Sequence, residues 1–246
     1  MSTTTRRPGG KNKKRSGADS GIIVRSPGAG TVHAMTPATV EAVRYFLARL
    51  EMNDTGIPQR LGVTSALSGE GVTYISRSIA AVIAQDYERS VCVVDLNWWD
   101  NRRRAPESDD AAAPASLMDL VRETATVDDV MQPTSIPGLS LISAGRLGRE
   151  RRHTVAESDE LAHAIDEVAA RFDHVIVDLP AVLKTSATLS VARLCDAFTL
   201  VVRQGVTSEF QVAAALEDLR RFESVGIVLN ATVTRTPKRI QRLLGF

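Results

Sequence analysis

The sequence is poor in cysteine, histidine and aromatic residues, and it contains no long apolar run. Its two cysteines, Cys92 and Cys195, stand in or beside apolar stretches without metal-ligand spacing, and the four histidines are scattered. This pattern indicates buried, reduced thiols rather than a disulfide framework or a zinc site. No apolar stretch is long enough to span a bilayer, and none follows the basic start as the core of a secretory signal would. The sequence therefore predicts neither a membrane-spanning segment nor a secretory signal.

Charge is balanced over the whole chain but concentrated at its start. The formal net charge of +1 argues against nucleic-acid binding through the bulk charge of the protein, and no specific nucleic-acid partner is expected. Residues 1–30, however, carry seven basic residues and one acidic residue, for a net charge of +6. This segment lacks aromatics and is rich in Gly, Ser and Thr, which predicts a disordered basic arm. The arm is either a solubilising tail or a contact for an anionic membrane surface or acidic partner. Residues 31–246 are predicted to form a single domain.

Short apolar runs alternate with amphipathic stretches along the rest of the chain. Strands are predicted at 59–67, 90–97, 139–145, 174–180, 197–205 and 225–230. Helices are predicted at 36–52, 72–87, 116–124, 126–132, 160–172, 208–222 and 237–246, the last of them short and basic. Residues 98–115 and the basic stretch 146–158 are predicted to be loops. Continuous apolar strands separated by helices are typical of an α/β fold, a mostly parallel sheet with helices on both faces.

Three of the predicted strand ends carry residues suited to a nucleotide. After the first strand comes "SALSGEGVT", in which Gly69 and Gly71 let backbone amides crowd around a phosphate at the start of a helix. Thr73 stands where a P-loop hydroxyl would hold magnesium. Asp95 and Asp178 end two further strands, and an acid at that place helps P-loop proteins hold the metal. Each feature alone is weak, but the three in this order indicate a nucleotide site.

These motifs resemble those of the bacterial tyrosine kinases of capsule and exopolysaccharide synthesis, within the MinD/ParA class of P-loop ATPases. The family's "A-x-P-G-E-G-K-[ST]", "D-x-D-x-R" and "D-x-P-P" correspond to "ALSGEGVT", "CVVDLNWW" and "VIVDLPA", and the resemblance covers roughly residues 36–246. It implies a P-loop NTPase-like three-layer sandwich that binds ATP and Mg²⁺. By this resemblance Asp95 and Asp178 are the catalytic candidates, and Thr73, Asp95 and Asp178 are the metal ligands. The cofactor-binding candidates are Gly69, Glu70, Gly71, Val72, Thr73 and Asn230, the last beside the adenine.

The departures from the family pattern fall on the residues that carry charge. Val72 stands in place of the loop lysine, Asn97 in place of the second acid, and Trp99 in place of the arginine. Lys184 is a remote substitute for the missing cation. An association motif near the front, "E-x-x-R-x-x-R", keeps its first two residues and has Leu47 at the third. The tyrosine cluster that these kinases phosphorylate has no counterpart at the C-terminus. Efficient ATP hydrolysis or tyrosine phosphorylation is therefore not expected.

Three functional hypotheses follow from this combination. The first is a weakly nucleotide-binding or non-catalytic regulator that docks onto a membrane exopolysaccharide or capsule polymerisation and export complex. Its partner would be the membrane polysaccharide co-polymerase, or chain-length regulator. The second is an active ATP-dependent tyrosine kinase or ATPase completed in trans by a partner subunit, and the third is a MinD/ParA-like positioning ATPase. We expect a cytoplasmic location, peripheral at the inner face of the plasma membrane, and homo-oligomer formation.

Overall fold

A computed structural model describes residues 21–25, 32–52, 56–100 and 114–231 of the chain. The first twenty residues of the predicted arm, most of the predicted 98–115 loop and the predicted helix 237–246 lie outside this described part. Within it, no helix is both long and apolar enough to cross a membrane.

The centre of the molecule is a seven-stranded sheet in the order β5-β6-β4-β7-β3-β8-β9. Its strands are β3 (Arg60–Ser65), β4 (Val91–Asp95), β5 (Gln132–Pro133), β6 (Leu139–Ile142), β7 (His174–Asp178), β8 (Ala197–Arg203) and β9 (Ser224–Asn230). All pairings are parallel except that of the two-residue edge strand β5 with β6. The prediction of a mostly parallel sheet is confirmed.

Helices cover both faces of this sheet, as predicted. They are α1 (Pro37–Glu51), α2 (Val72–Asp86), α3 (Leu117–Val121), α4 (Val127–Val130), α5 (Arg152–Ala156), α6 (Asp159–Ala169), α7 (Ala187–Ala192) and α8 (Glu209–Asp218). Alternate residues of one strand face opposite sides. Val91 and Val93 of β4 accordingly pack with α1 and α2, whereas Cys92 and Val94 pack with α3 to α8.

The helix starts follow the capping chemistry of the sequence. The amide of Thr39 donates to the side chain of Thr36, the N-cap of α1. Ser208 and Gln211 form a capping box at the start of α8. The apolar stripe of α1, from Val40 to Leu50, is buried against the sheet. The 3.6-residue period and the caps thus place these helices correctly.

The boundary of the predicted arm is wrong at its C-terminal end. Residues Ile23–Arg25 form strand β1, which pairs antiparallel with β2 (Val32–Ala34), and the side chains of Ile22 and Val24 are buried in the core. The amide of Ser135 donates to the carbonyl of Arg25, which fastens this hairpin to the loop before β6. Strands of three residues are too short to give a periodic signal, so composition alone dominated the prediction.

The prediction of a basic loop at 146–158 is also wrong in part. Residues Arg149–Arg151 form a 3₁₀ turn that continues into α5. Val155 and Ala156 of α5 are buried. Helix α7, which was not predicted, likewise buries Ala187 and Val191. Both helices span only one or two turns and are held by tertiary packing, so their sequences carry no full amphipathic pattern.

Candidate nucleotide site

The three sequence motifs meet at the carboxyl edge of the sheet. Strand β7 lies between β4 and β3, and Asp95 is directly opposite Asp178 in the register of β4 and β7. The loop after β3 leads into α2 beside them. A cleft of about 230 Å³ opens at this point. The parallel sheet therefore gathers residues from positions far apart in the chain, as expected for a site at the ends of its strands.

The phosphate loop, residues 65–73, depends on glycine at two positions. Gly69 and Gly71 have φ angles of 90° and 97°, which side chains with a Cβ adopt only at a cost. A Cβ on Gly71 would also stand 2.1 Å from Nδ2 of Asn230. Gly71 is the N-cap of α2, whose first amides have no acceptor within the helix and carry partial positive charge. The loop thus keeps the shape of a phosphate cradle.

Glu70 fixes this loop from within. Its side chain is 1% exposed, and one carboxylate oxygen accepts a hydrogen bond of 2.7 Å from the amide of Leu67. The other oxygen accepts from the amide of Arg203, at 3.1 Å, and from the hydroxyl of Thr207. The carboxylate consequently ties the loop to the end of β8 and to the turn before α8. Sequence reasoning missed Arg203 and Thr207, because backbone donors and loop hydroxyls have no sequence signature.

Asn230 is also engaged with the loop. Its side-chain Nδ2 donates to the carbonyl of Glu70 at 2.7 Å, across the gap between β9 and the loop. The side chain therefore closes over Gly71 and explains why no Cβ fits there. The predicted contact of Asn230 with an adenine stays a prediction.

The predicted metal ligands are brought together. The hydroxyl of Thr73, in the first turn of α2, donates to Oδ2 of Asp178 at 2.5 Å, and Asp178 is fully buried. Oδ1 of Asp95 accepts from the amide of Asn97 at 2.8 Å. A hydroxyl and two carboxylates are the oxygen ligands that Mg²⁺ prefers, so these three residues suit that ion in their chemistry.

The position of the family's lysine is occupied by a side chain that belongs partly to the core. Val72 is 8% exposed and packs with the α1 and α2 layer, while it also borders the cleft. The cleft is lined by Ser65, Ser68, Gly69, Gly71, Val72, Thr73, Asn97, Asp100 and Ala181. Among these described residues one is acidic and none is basic. Lys184, the remote substitute, is exposed and does not line the cleft.

The two tryptophans that follow the second motif, and the association motif, make contacts with other parts of the protein. Trp98 is buried and its ring nitrogen donates to the carbonyl of Ala144 at 3.0 Å, while the Trp99 ring packs edge-on against His153. Arg44 of the association motif pairs with Asp86 of α2 at 2.6 Å.

Both cysteines are free thiols, as the sequence predicted. Burial raises the pKa of Cys195 to about 12 and raises the pKa of Cys92 as well. Thiols of this kind are poor nucleophiles at neutral pH.

Comparisons with known proteins agree with this geometry. Residues 59–222, about two thirds of the chain, match the family model described as cellulose biosynthesis protein BcsQ. Tyrosine-protein kinase ptk of Acinetobacter johnsonii is 24% identical over 169 residues, which are 69% of this chain but only 22% of that kinase.

Two solved structures extend the comparison to the fold. The kinase domain of the Escherichia coli tyrosine kinase ETK superposes with a TM-score of 0.69 at 24% identity, covering 83% of this chain and 79% of that one. The septum site-determining protein MinD of Pyrococcus horikoshii, complexed with Mg-ADP, superposes with a TM-score of 0.53 at 15% identity, covering 76% and 77%. The predicted P-loop NTPase-like fold and the resemblance to bacterial tyrosine kinases and MinD-type ATPases are confirmed. The chain belongs to the cellulose biosynthesis protein BcsQ family.

Proposed function

We propose that this chain is a regulatory P-loop protein of exopolysaccharide synthesis that binds nucleotide weakly or not at all. It acts by docking onto a membrane polysaccharide assembly rather than by phosphorylating tyrosine. The family's description supports the link to polysaccharide synthesis. The observation that carries the proposal is the place of Val72, a nearly buried apolar side chain at the position of the family's phosphate-binding lysine.

The charge of the cleft supports weak binding. A triphosphate brings several negative charges, but the described side chains that line the cleft include Asp100 and no cation. A charged hydrogen bond contributes about 1.5–3 kcal/mol, so loss of the lysine weakens phosphate binding by roughly ten- to a hundredfold. A cation aimed at the transition state is also worth about 10²–10³ in rate, by analogy with oxyanion donors.

Other parts of the site support residual binding. The glycine turns and the start of α2 fit a phosphate, and Thr73, Asp95 and Asp178 fit Mg²⁺. When bound, Mg²⁺ would neutralise phosphate charge. The role of this chain's residues would then be to hold the ion and to orient the phosphates against the helix start. This retained set is also what favours the second candidate function, an ATPase that a partner subunit completes with a cation.

The proposed location of this activity is the inner face of the plasma membrane. The basic residues of segment 1–20 and of segment 235–242 supply positive charge suited to an anionic lipid surface or an acidic partner. The partner would be a membrane polysaccharide co-polymerase or its cytoplasmic segment. The arm and the tail would bring the P-loop domain to it, and the domain would serve as a docking unit.

The experiment that tests the proposal is calorimetric titration of the full chain with Mg-ATP. The native chain should bind with a dissociation constant in the millimolar range or not at all, and Val72→Lys should bind about ten- to a hundredfold more tightly. Gln85→Lys is the matched control, because it adds the same charge at the exposed far end of α2 and should bind as the native chain does.

ATP turnover separates the two candidate functions. The regulatory proposal is overturned if the native chain hydrolyses ATP at a rate that both Thr73→Ala and Asp95→Ala abolish. Hydrolysis that appears only on addition of a second protein would support the ATPase completed in trans.

A further inference from the structure

A second depression, larger than the nucleotide cleft, lies on the helical side of the molecule. This groove, which we call the α6 groove, has a volume of about 490 Å³, against about 230 Å³ for the cleft. It runs between α6 on one side and the α3–α4 pair on the other. Apolar side chains such as Leu120, Val121 and Val127 form part of its lining. No sequence motif marks it, and it has no role in the function proposed above.

The α6 groove matches the length of a short helix. Glu160, His163, Glu167 and Ala170 all line it, and their spacing of three, four and three residues places them on one stripe along the length of α6. Since α6 has 11 residues, the groove is about 16 Å long at 1.5 Å per residue. A helix of about ten residues matches this length and could place one face in the groove.

The rim of the α6 groove is acidic. Glu123, Glu160 and Glu167 line it, whereas its basic residue Arg171 is already paired with Asp128 at 2.6 Å. Glu123 sits just beyond α3 with a φ angle of 58°, a conformation that non-glycine residues rarely adopt. The groove therefore combines apolar surface with net negative charge, which suits a basic amphipathic helix.

The chain itself carries a segment with these properties. Residues 232–246 contain Arg235, Lys238, Arg239 and Arg242 and no acidic residue. Ile240, Leu243 and Leu244 follow the i, i+3, i+4 spacing with which helices enter grooves. As a helix, the predicted segment 237–246 is about 15 Å long, close to the length of the α6 groove.

We propose that the α6 groove receives the C-terminal segment 237–246 of a second copy of this chain. The C-terminal segment cannot reach the α6 groove of its own copy. Strand β9 is at one edge of the sheet, and β8 and β3 separate it from β7, against which α6 packs. The groove lies beyond α6, on the side where Leu117 of α3 bonds to Ser143 after β6. The groove lies between α6 and α3 and so over β4, which is four strands from β9; at about 4.8 Å per strand and a helix layer about 10 Å from the sheet, the separation is about 22 Å. The five linking residues 232–236 join Ala231 to Pro237 in six steps that span at most about 21 Å when fully extended, and the extended chain would also have to pass around α8, which packs on the same face of the sheet.

This contact is head-to-tail, because the tail of one copy enters the groove of the next. Such a heterologous interface forms a ring where its rotation closes and a filament where it does not. The contact also withdraws the basic tail from anionic lipid, so assembly and membrane binding compete for one segment. The contact between copies does not rest on the regulatory proposal, because nothing in it depends on nucleotide, whereas the competition with lipid rests on the membrane contact proposed above.

Sedimentation analysis of the full chain and its charge-reversed variants tests the inference. The groove variant Glu123→Lys/Glu167→Lys and the tail variant Arg239→Glu/Arg242→Glu should each weaken self-association by at least about tenfold. Both groove substitutions lie at or just beyond helix C-termini, where a positive charge is tolerated, so folding is retained. An equimolar mixture of the two variants should restore association, since each supplies the charge that the other lacks. The control Glu51→Lys/Asp218→Lys changes net charge equally away from the groove and should leave the association constant unchanged.

A cross-link identifies the occupant directly. In Ala170→Cys/Leu244→Cys, oxidation should join two copies, and the product should migrate as a dimer or larger species in a denaturing gel. A cross-link within one copy overturns the assignment to a second copy. A native chain that stays monomeric at 100 µM, or a groove variant that associates like the native chain, overturns the proposal as a whole. Vesicle binding tests the competition. If the native chain binds anionic vesicles equally well under associating and non-associating conditions, assembly and membrane binding do not compete for the tail.

Discussion

The phosphate loop and the α6 groove are both open to solvent, yet their polar side chains are held in different ways. Around the loop, Glu70 and Asp178 are almost fully buried and bonded to groups of the loop itself. Around the groove, Glu160 and Glu167 are exposed, and within the described residues the ion-pair partner of Glu167 is His163 of its own helix, at 3.2 Å. Buried carboxylates that lose their partners are costly, whereas exposed charges contribute little to folding. Glu70 of the loop therefore serves the fold, whereas the exposed acids of the groove remain available to a ligand.

The largest effect is expected when Glu70 is removed from the loop. Glu70→Ala leaves the amides of Leu67 and Arg203 and the hydroxyl of Thr207 without their shared acceptor, and should lower the free energy of unfolding by about 3 kcal/mol. Chemical denaturation measures this change. Glu209→Ala, which removes an exposed carboxylate, is the control and should stay within about 0.5 kcal/mol. Equal effects of the two substitutions would contradict the structural role of Glu70.

A smaller effect, and a coupled one, is expected at Gly71 and Asn230. Gly71→Ala should cost about 2 kcal/mol, since its φ is 97° and the new Cβ would meet Nδ2 of Asn230. Asn230→Ala should cost about 1 kcal/mol through the lost bond to Glu70. Because the second substitution removes the clash of the first, the double variant should lose about 1 kcal/mol less than the sum. Strict additivity in this double-mutant cycle would show that the loop and β9 are independent.

The sequence predicts the fold well wherever a pattern repeats over many residues. Long amphipathic helices such as α1 and α2, and continuous apolar strands such as β4 and β7, carry that repetition. Elements of one to two turns, or of three residues, do not. The short helices α3 and α4 were nevertheless predicted and have capping boxes at their starts, whereas α5, α7 and the β1–β2 hairpin have none and gave no signal. Their positions are decided by contacts between distant segments, such as Ser135 with Arg25.

The candidate site shows the same division. Gly69, Gly71, Thr73, Asp95 and Asp178 were identifiable because their residue types are tied to phosphate and metal chemistry. The sequence did not reveal the structural role of Glu70, because its partners Arg203 and Thr207 are more than a hundred residues away along the chain. The α6 groove was equally hidden, since a groove arises from the packing of helices and not from a local motif.

A pH-dependent effect on stability is expected at His33, which contacts α2, the helix that follows the phosphate loop. The pKa of His33 is lowered to about 4, first by burial and then by the positive charge of Arg77, and its ring lies 4.9 Å from that of Tyr74 on α2. The folded state thus binds the proton less well than the unfolded state. Stability should fall as pH drops from about 6.5 to 4, by an amount on the order of 1–2 kcal/mol once partial exposure is discounted. His33→Gln should flatten this part of the profile in denaturation measured at each pH, and an unchanged slope would assign the proton uptake to other groups.

The smallest effect on stability is expected in the α6 groove, and it separates a binding surface from a structural one. Glu123→Lys/Glu167→Lys should change the free energy of unfolding by no more than about 0.5 kcal/mol, because the exposed pair of Glu167 with His163 is weak and both new charges lie near helix C-termini. Denaturation at low protein concentration, where association is negligible, measures the folding term alone. A loss above 1 kcal/mol would mean that the groove acids support the fold as Glu70 does, and weakened self-association in that variant would then report misfolding. A neutral result ties any loss of association to the surface itself, since the same residues would matter between copies and not within one.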